Sequence, residues 1–203
     1  WALPLASRCR RVTALDFSAM MLEIFEQRAE AQVLKNISAR KLSWEDDWAA
    51  QGIRSHDLVI ASRSLMVPNL QLALEKLNHF ARRLVCVTDK VRHGPFDPDA
   101  FAAVGRTLEP GPDYIYTINL LHQMGYLPKV DYIHLEEELL YSSFTEAIAG
   151  WSWMFHDLHK EEEQKLEEYV RSITEIQEDG TAIVRHPALP IWAFISWEPT
   201  LSP

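Results

Sequence analysis

Three short, nearly continuous apolar segments, each followed by a polar break or a helical pattern, most limit how this chain can fold. They lie at residues 12–15, 57–61 and 84–88. Strands have such sequences when helices cover both faces of a parallel sheet, because every side chain is then buried. Apolar residues recur at helical spacing over 21–29 and again over Leu70–Phe80. The alternation predicts an α/β fold with a doubly wound, mostly parallel sheet.

The second half of the chain predicts helices inserted between strands. Proline and glycine interrupt the chain at 93–98 and 109–112, and Asp113 can cap a helix that ends near Gly125. We expect residues 93–126 to form a lid over a bound substrate, because binding residues are often carried on such connections. The alternative, that these helices simply cover the sheet and bury their aromatic residues, is about equally favoured. The elements predicted after it are a strand at 129–135, a long helix at 144–172 that bends near Gly150, and a last strand at 191–197.

Length and charge narrow the class of protein. The chain has 203 residues, for which we predict a single domain spanning 1–203. It has 20 basic and 29 acidic residues, a net charge of -9, which argues against a nucleic-acid surface and favours a small-molecule partner. Its apolar stretches are shorter than the ~20 residues a membrane span needs. The start lacks a signal core, so we predict a cytoplasmic protein with no membrane partner.

An aromatic pattern and a histidine pattern lie late in the chain. Trp151, Trp153 and Phe155 alternate, and alternating residues cannot share one helical face, so one of the three is expected to be exposed. His156 and His159 have a spacing compatible with metal ligands. No third ligand can be identified, so a solvated helix face is favoured and no metal is predicted.

Asp16 stands where the first apolar segment ends, at the predicted carboxyl end of a strand. In open α/β sheets ligands bind at that edge, and a carboxylate there can accept hydrogen bonds from two adjacent ribose hydroxyls. The alternative is an aspartate that satisfies backbone amides at the start of the next helix. The residues alone leave the two interpretations about even.

A second acidic position lies one unit further along, in the Ser-Trp-Glu-Asp-Asp-Trp segment at 43–48. In a nucleoside site, an acid here can accept from an adenine amino group while an aromatic side chain covers the ring. The alternative is a capping sequence whose charge favours a helix N-terminus. By itself the capping interpretation is the better one.

Taken in order, these features strongly resemble the class I S-adenosylmethionine-dependent methyltransferases. Residues 12–22 run as a strand, an acid and Ser-x-x-Met-Leu opening a helix, a familiar stretch of that family. Residues 56–61 are similar to the family's fourth strand, and residues 84–88 are similar to its fifth. Residues 129–135 and 191–197 are similar to its sixth strand and antiparallel seventh. The resemblance implies a Rossmann-like sheet of the seven-stranded type, with a helical insertion and an antiparallel last strand.

The resemblance also implies S-adenosylmethionine as cofactor, S-adenosylhomocysteine (SAH) as product, and a set of binding residues. Those at the cofactor are Asp16 at the ribose, Phe17 beside the adenine, Trp44, Glu45 and Asp46 at the adenine end, and Ser62 and Arg63 bordering the sulfonium and the acceptor. Candidates for contact with a small polar-aromatic acceptor are Tyr114, Tyr116, Asn119 and His122. No catalytic residue is named, because methyl transfer depends chiefly on positioning.

One part of the family pattern has no counterpart in this sequence. The family's glycine-rich loop follows its first strand and lets the backbone approach the methionine moiety of the cofactor. Residues 1–6 are similar to the helix after that loop. A missing central strand would leave unpaired strand edges on both sides. We therefore expect residues before Trp1 that carry a strand and a Gly-rich turn.

Two other functions stay open. A nicotinamide-dependent oxidoreductase also ends its second strand with a ribose-binding acid, but the closing strand at 191–197 follows a turn and suits an antiparallel strand. The second alternative is a catalytically silent methyltransferase-like binding or scaffold protein.

Overall fold

The structure is a computed structural model that describes residues 2–135, 139–185 and 189–200. The described residues group into two compact units, Trp1–Ser55 and His56–Pro203. The helices are α1 (Ala2–Ala6), α2 (Ala19–Ala31), α3 (Leu70–Phe80), α4 (Pro98–Val104), α5 (Tyr114–Gln123), α6 (Phe144–Ser152) and α7 (Lys160–Ser172). The strands are β1 (Val12–Asp16), β2 (Ile37–Lys41), β3 (His56–Ser62), β4 (Ala81–Lys90), β5 (Lys129–His134), β6 (Leu139–Tyr141), β7 (Thr174–Ile176), β8 (Ala182–Val184) and β9 (Ile191–Trp197).

The first unit contains a two-stranded parallel sheet, β1 and β2, with α2 packed on it. The Ser18 hydroxyl caps α2 by accepting a hydrogen bond from the Met21 amide, as its sequence predicts. Of the apolar residues on the predicted inner face, Leu22 and Ala29 are buried, whereas Met21 and Ile24 are exposed. The buried stripe of α2 is therefore narrower than the apolar periodicity of its sequence predicts.

The second unit is built on a four-stranded sheet in the order β3, β4, β9, β5. Strands β3 and β4 are parallel, and β9 runs antiparallel to both β4 and β5. The predicted antiparallel last strand is therefore confirmed, and α4 and α5 form the helical insertion that precedes β5. The count of seven strands in one sheet is not confirmed, because the described strands form sheets of two, four and three.

Strand β4 lies at the centre of the main core. Val85 and Val87 are fully buried, together with Leu74 of α3 and Ile195 of β9. Such burial is what the nearly continuous apolar sequence of β4 predicts, since both faces of the strand are covered.

The segment 144–172, predicted as one long helix, forms two helices, so the predicted bend near Gly150 is wrong. The break lies between α6 and α7, where Asp157 has a φ of 53°, and the Glu162 carboxylate accepts a hydrogen bond from the His159 amide at 2.9 Å to start α7. Gly150 lies within α6, where a Cβ would come 2.5 Å from the Tyr141 hydroxyl. Close packing, rather than a bend, accounts for that glycine.

A three-stranded antiparallel sheet, in the order β6, β8, β7, was not predicted. Each strand has three residues, too few for a period to be recognised in the sequence. A turn at residues 178–180 joins β7 to β8, with Gly180 at a φ of 87°.

A buried carboxylate organises the cluster formed by α4, α6, α7 and β8. Asp97 is 2% exposed and accepts hydrogen bonds from the Trp151 indole at 2.9 Å and the Tyr169 hydroxyl at 2.7 Å. It also caps α4 through the backbone amides of Asp99 and Ala100. Burial first, and then the Asp97 carboxylate, raise the pKa of Tyr169 well above its ordinary value.

Trp153 is the exposed member of the alternating aromatic set. Trp151 and Phe155 are buried in this cluster, and Trp153 is 53% exposed. The expectation that one of the three would be exposed is confirmed.

Arg106 fixes the break between α6 and α7. Its guanidinium makes two hydrogen bonds of 2.7 Å to the Glu162 carboxylate and donates to the carbonyl oxygens of His156 and Asp157. The hydrogen bond from Arg106, and then that from the His159 amide, lower the pKa of Glu162 to about 2.

We expect Asp97→Ala to destabilise the protein by roughly 2–4 kcal/mol, because it removes the carboxylate that accepts from the buried Trp151 indole and the half-buried Tyr169 hydroxyl. Urea unfolding measures the change, and Asp99→Asn, an exposed position on the same helix, serves as the control. An Asp97→Ala protein as stable as the control would contradict the role given to Asp97.

Glu162 is expected to contribute to the pH dependence of stability. Because its folded-state pKa is lowered from 4.5 to about 2, its contribution is present above pH 4.5 and disappears as the pH falls through about 2. The stability difference between the wild type and Glu162→Gln should therefore shrink over that interval. Denaturant unfolding at pH 6, 4 and 2.5 measures it; Glu161→Gln is the control, and a difference independent of pH would contradict the prediction.

Candidate functional site

In the first unit, the carboxyl ends of β1 and β2 lie at the same edge of the sheet. Asp16, the last residue of β1, is in register with Lys41, the last residue of β2. The amide of Leu42 donates to the backbone carbonyl of Asp16 at 3.1 Å. The turn at 43–48 therefore starts beside Asp16, and the structure brings these two predicted parts of the site together.

The Asp16 carboxylate uses one oxygen locally. Its Oδ1 accepts a hydrogen bond from the Ser18 amide at 2.8 Å, which is the helix-entry role that the sequence left open. Its Oδ2 has no hydrogen-bond partner among the residues that the structure describes. The two interpretations of Asp16 are thus compatible, since the local bond orients the side chain and leaves an acceptor oxygen for a ligand.

Aromatic side chains flank this edge. Phe17 is 75% exposed directly after Asp16. In the turn, the Trp44 and Trp48 rings lie 5.4 Å apart at a tilt of 36°, and the buried Trp48 donates its indole N–H to the Ser43 carbonyl at 2.7 Å. The packed tryptophan pair gives the turn a fixed shape, whereas the Phe17 ring is available for stacking.

The two acids of the turn differ in their surroundings. The Asp46 Oδ2 accepts from the Ser43 amide at 2.6 Å and from the Ser43 hydroxyl at 3.0 Å, so this carboxylate closes the turn. Glu45 has an exposed side chain. Asp46 thus stabilises a turn, and the helix-capping alternative is wrong here because no helix lies in the described segment between β2 and β3.

In the second unit, Ser62 and Arg63 lie at the carboxyl end of β3. The Ser62 and Thr88 hydroxyls are 2.9 Å apart. The Arg63 amide donates to the Thr88 carbonyl at 3.1 Å, and Arg63 has a φ of 54°, in the left-handed region. A non-glycine residue held there is strained, and such residues concentrate at functional sites. The Arg63 guanidinium lies 4.3 Å from the centroid of the Trp192 ring on β9.

The carboxyl end of β4 adds polar residues that our sequence reasoning did not place in the site. The Asp89 Oδ2 accepts a hydrogen bond from the Thr117 hydroxyl at 2.6 Å. Lys90, only 8% exposed, donates from its Nζ to the Pro110 carbonyl. Asp89 carries the same signal that identified Asp16, an acid directly after a buried apolar run, and could have been recognised by it. Trp192 carried no such signal.

The four predicted acceptor-contacting residues lie on α5 but do not form one cluster. Thr117 and Leu121 make up the buried face of this helix. The Tyr114 hydroxyl is 2.7 Å from that of Tyr132 on β5, and this hydrogen bond is the main cause that raises the pKa of Tyr114. The other three side chains are exposed, namely Tyr116, Asn119 and His122. Asp113 caps α5 as predicted, accepting from the Ile115 amide.

No group of three or more His, Cys, Asp or Glu side chains within 2–135, 139–185 and 189–200 is arranged to hold a metal ion. None of the helices in those ranges is long and apolar enough to span a membrane.

Sequence comparison finds a relative without an assigned activity. No family model matches the chain. An uncharacterized protein of Haemophilus influenzae is 31% identical over 170 residues, which are 83% of this chain and 63% of the relative. The chain thus spans slightly less than two thirds of that relative's length.

Comparison with solved structures identifies the fold. A Bacillus halodurans protein to which a methyltransferase activity is attributed matches with a TM-score of 0.58 and 10% identity over 98% of this chain and 87% of its own. Coclaurine N-methyltransferase, solved with N-methylheliamine and SAH, matches with a TM-score of 0.50 and 15% identity over 97% and 63%. A precorrin-8w decarboxylase from Methanobacterium thermoautotrophicum matches with a TM-score of 0.50 and 16% identity over 96% and 73%.

The chain therefore has a class I methyltransferase-like fold, as the sequence resemblance implied. The identities are low, and a decarboxylase is among the proteins that share the architecture. Fold likeness at this level does not determine the reaction, so the function has to be argued from the residues of the site.

Proposed function

We propose that the protein binds S-adenosylmethionine and transfers its methyl group to a small-molecule acceptor. The observation that carries the proposal is the Asp16 carboxylate, oriented by the Ser18 amide at 2.8 Å and retaining an oxygen without a partner in the described part of the chain. A carboxylate at the end of a parallel strand is suited to the adjacent hydroxyls of a ribose. The methyltransferase-like fold supports this role for Asp16.

The surroundings of Asp16 fit a purine. The exposed Phe17 ring offers a flat apolar surface next to the carboxylate. The turn at 43–48, tied to Asp16 through the Leu42 amide, supplies Trp44 and the exposed Glu45. We assign Phe17 to one face of the adenine, and Trp44, Glu45 and Asp46 to its polar end, where an amino group can donate to a carboxylate.

Within the second unit, the proposed tasks are binding and orientation. The cofactor supplies an electrophilic methyl group when it is bound. Ser62 and Arg63 would border the reacting groups, and the Thr88 side chain and carbonyl hold both residues in place at distances of 2.9–3.2 Å. Accurate placement of an acceptor against a methyl group is the main requirement of such a transfer.

Charge and topology favour this function over its rivals. The net charge of -9 argues against nucleic acid as the acceptor. The antiparallel position of β9 between β4 and β5 supports a methyltransferase over a nicotinamide-dependent oxidoreductase. A silent binding protein differs from an enzyme in one measurable respect, since it would bind the cofactor without consuming it.

Substitution of Asp16 tests the cofactor site. Asp16→Asn keeps a side-chain oxygen for the Ser18 amide but removes the charge, and Asp16→Ala removes both. Loss of charge-assisted hydrogen bonds worth roughly 1.5–3 kcal/mol should weaken SAH binding by ~10–150-fold in both variants. Calorimetric titration of the full-length protein measures the affinity, and Glu23→Gln, on the exposed face of α2, is the control. Unchanged SAH affinity in a folded Asp16→Ala protein would refute the assignment.

Substitution of Tyr116 and His122 tests the lid proposed for 93–126. Both side chains are exposed, so Tyr116→Ala and His122→Ala should leave the melting temperature nearly unchanged. If they contact the acceptor, transfer of a radiolabelled methyl group into a deproteinised cell extract should fall several-fold while SAH affinity is retained. Turnover equal to that of the wild type, or a proportionate loss of stability and binding, would contradict the lid.

A further inference from the structure

The guanidinium of Arg63 is held in place from two directions. The backbone of Arg63 has a φ of 54°, and its amide donates hydrogen bonds to the carbonyl and the hydroxyl of Thr88 at 3.1 and 3.2 Å. Its charged end lies 4.3 Å from the Trp192 ring centroid. Arginine side chains lose considerable rotamer freedom when they are fixed. A strained backbone and a stacked head group together present this exposed cation in a defined position at the carboxyl end of β3.

No carboxylate neutralises this cation. Arg63 makes no ion pair within 4.0 Å among the described residues, although the chain has 29 acidic residues. Arg171 provides a comparison inside the same protein, since it lies 4.2 Å from the Phe144 ring centroid and is paired with Glu167 at 2.8 Å. Stacking on an aromatic ring is thus common to both arginines, and only Arg63 lacks an anionic partner in the described part.

A second cation lies next to the same tryptophan. Lys90 and Trp192 are directly opposite each other in the antiparallel β4–β9 pair, so their side chains leave the same face of the sheet. Lys90 is 8% exposed, and its ammonium donates to the Pro110 carbonyl but forms no ion pair with a described carboxylate. Buried charges are costly unless they are compensated. Two unneutralised cations therefore flank Trp192.

The tryptophan itself carries an unsatisfied donor. Trp192 is 7% exposed, and its buried indole N–H has no acceptor among the described residues. Most buried donors in proteins are hydrogen-bonded, so an orphaned one calls for an explanation. Arg63 stacks on the ring of this tryptophan, and Lys90 is paired opposite it across the two strands.

We propose that Arg63, stacked on Trp192, binds a carboxylate. A single accessible guanidinium fork matches the planar geometry and the single charge of a carboxylate. This inference rests on the proposed function, which assigns Arg63 to the border of the sulfonium and the acceptor. The carboxylate belongs either to the methionine part of the cofactor or to the acceptor.

Matched pairs of ligands distinguish the two sources. SAH carries the carboxylate and 5′-methylthioadenosine lacks it, and phenylacetate and phenylacetamide form a second pair of the same size. Each is titrated into the wild type, Arg63→Gln, Arg63→Lys and the control Arg171→Gln, with phenylacetate and phenylacetamide tested in the presence and absence of SAH. Calorimetric titration measures the affinities for SAH and 5′-methylthioadenosine. Binding of phenylacetate and phenylacetamide at millimolar concentrations is followed by NMR, through the chemical shift of the Trp192 indole N–H. This resonance is assigned by comparison with Trp192→Phe.

The Arg63 variants should lose carboxylate binding selectively. A cofactor carboxylate predicts an SAH affinity at least roughly tenfold lower in Arg63→Gln, with unchanged affinity for 5′-methylthioadenosine. If the carboxylate belongs to the acceptor, Arg63→Gln should leave the SAH affinity unchanged. The same variant should lose a similar share of its affinity for phenylacetate but not for phenylacetamide. Arg63→Lys should retain only part of the binding, because its ammonium cannot form the paired hydrogen bonds of a guanidinium.

The proposal is overturned if Arg63→Gln leaves SAH and phenylacetate binding unchanged, if Arg171→Gln causes the same loss, or if the wild type binds neither carboxylate. Failure of the proposed function has a different signature. In that case the wild type binds neither SAH nor 5′-methylthioadenosine, while an Arg63-dependent shift of the Trp192 resonance by phenylacetate would still establish the carboxylate site.

Discussion

Parallel pairing of β1 with β2, and of β3 with β4, determines where the candidate binding residues lie. Parallel strands end at the same edge, and there the chain must leave the sheet through polar turns. In the first unit this edge holds Asp16 and the start of the turn at 43–48, joined by the bond from the Leu42 amide to the Asp16 carbonyl. In the second it holds Ser62 and Arg63 beside Thr88. The pairing of the strands thus gathers residues that are distant in sequence.

Polar contacts act together with apolar burial to fix the connections around the sheet of the second unit. Thr117 and Pro110, from the segment between β4 and β5, are bonded to Asp89 and Lys90 at the end of β4. Further along the chain, Asp97 joins α4 to Trp151 and Tyr169, and Arg106 holds the start of α7. Each contact is directional, so it specifies one arrangement of an inserted segment where a purely apolar interface would tolerate several.

The sequence predicted those features that depend on local pattern. The last strand was located correctly at Ile191–Trp197 because its apolar run has clear ends, and Asp16 was recognised because an acid follows such a run. The break between α6 and α7 was missed, since its cause is a bond between His159 and Glu162 supported by the distant Arg106. The stacking of Arg63 on Trp192 was also missed. It joins two strands through tertiary structure, and no spacing in the sequence reports it.

The central claim is that the edge around Asp16 recognises the adenosyl part of S-adenosylmethionine, and the most direct test is ligand choice by the full-length protein. Calorimetric titrations with SAH and with NAD under the same conditions compare a methyltransferase product with the cofactor of the rival oxidoreductase. The proposed function predicts saturable binding of SAH and no binding of NAD. Binding of NAD without SAH, or of neither ligand, would contradict it.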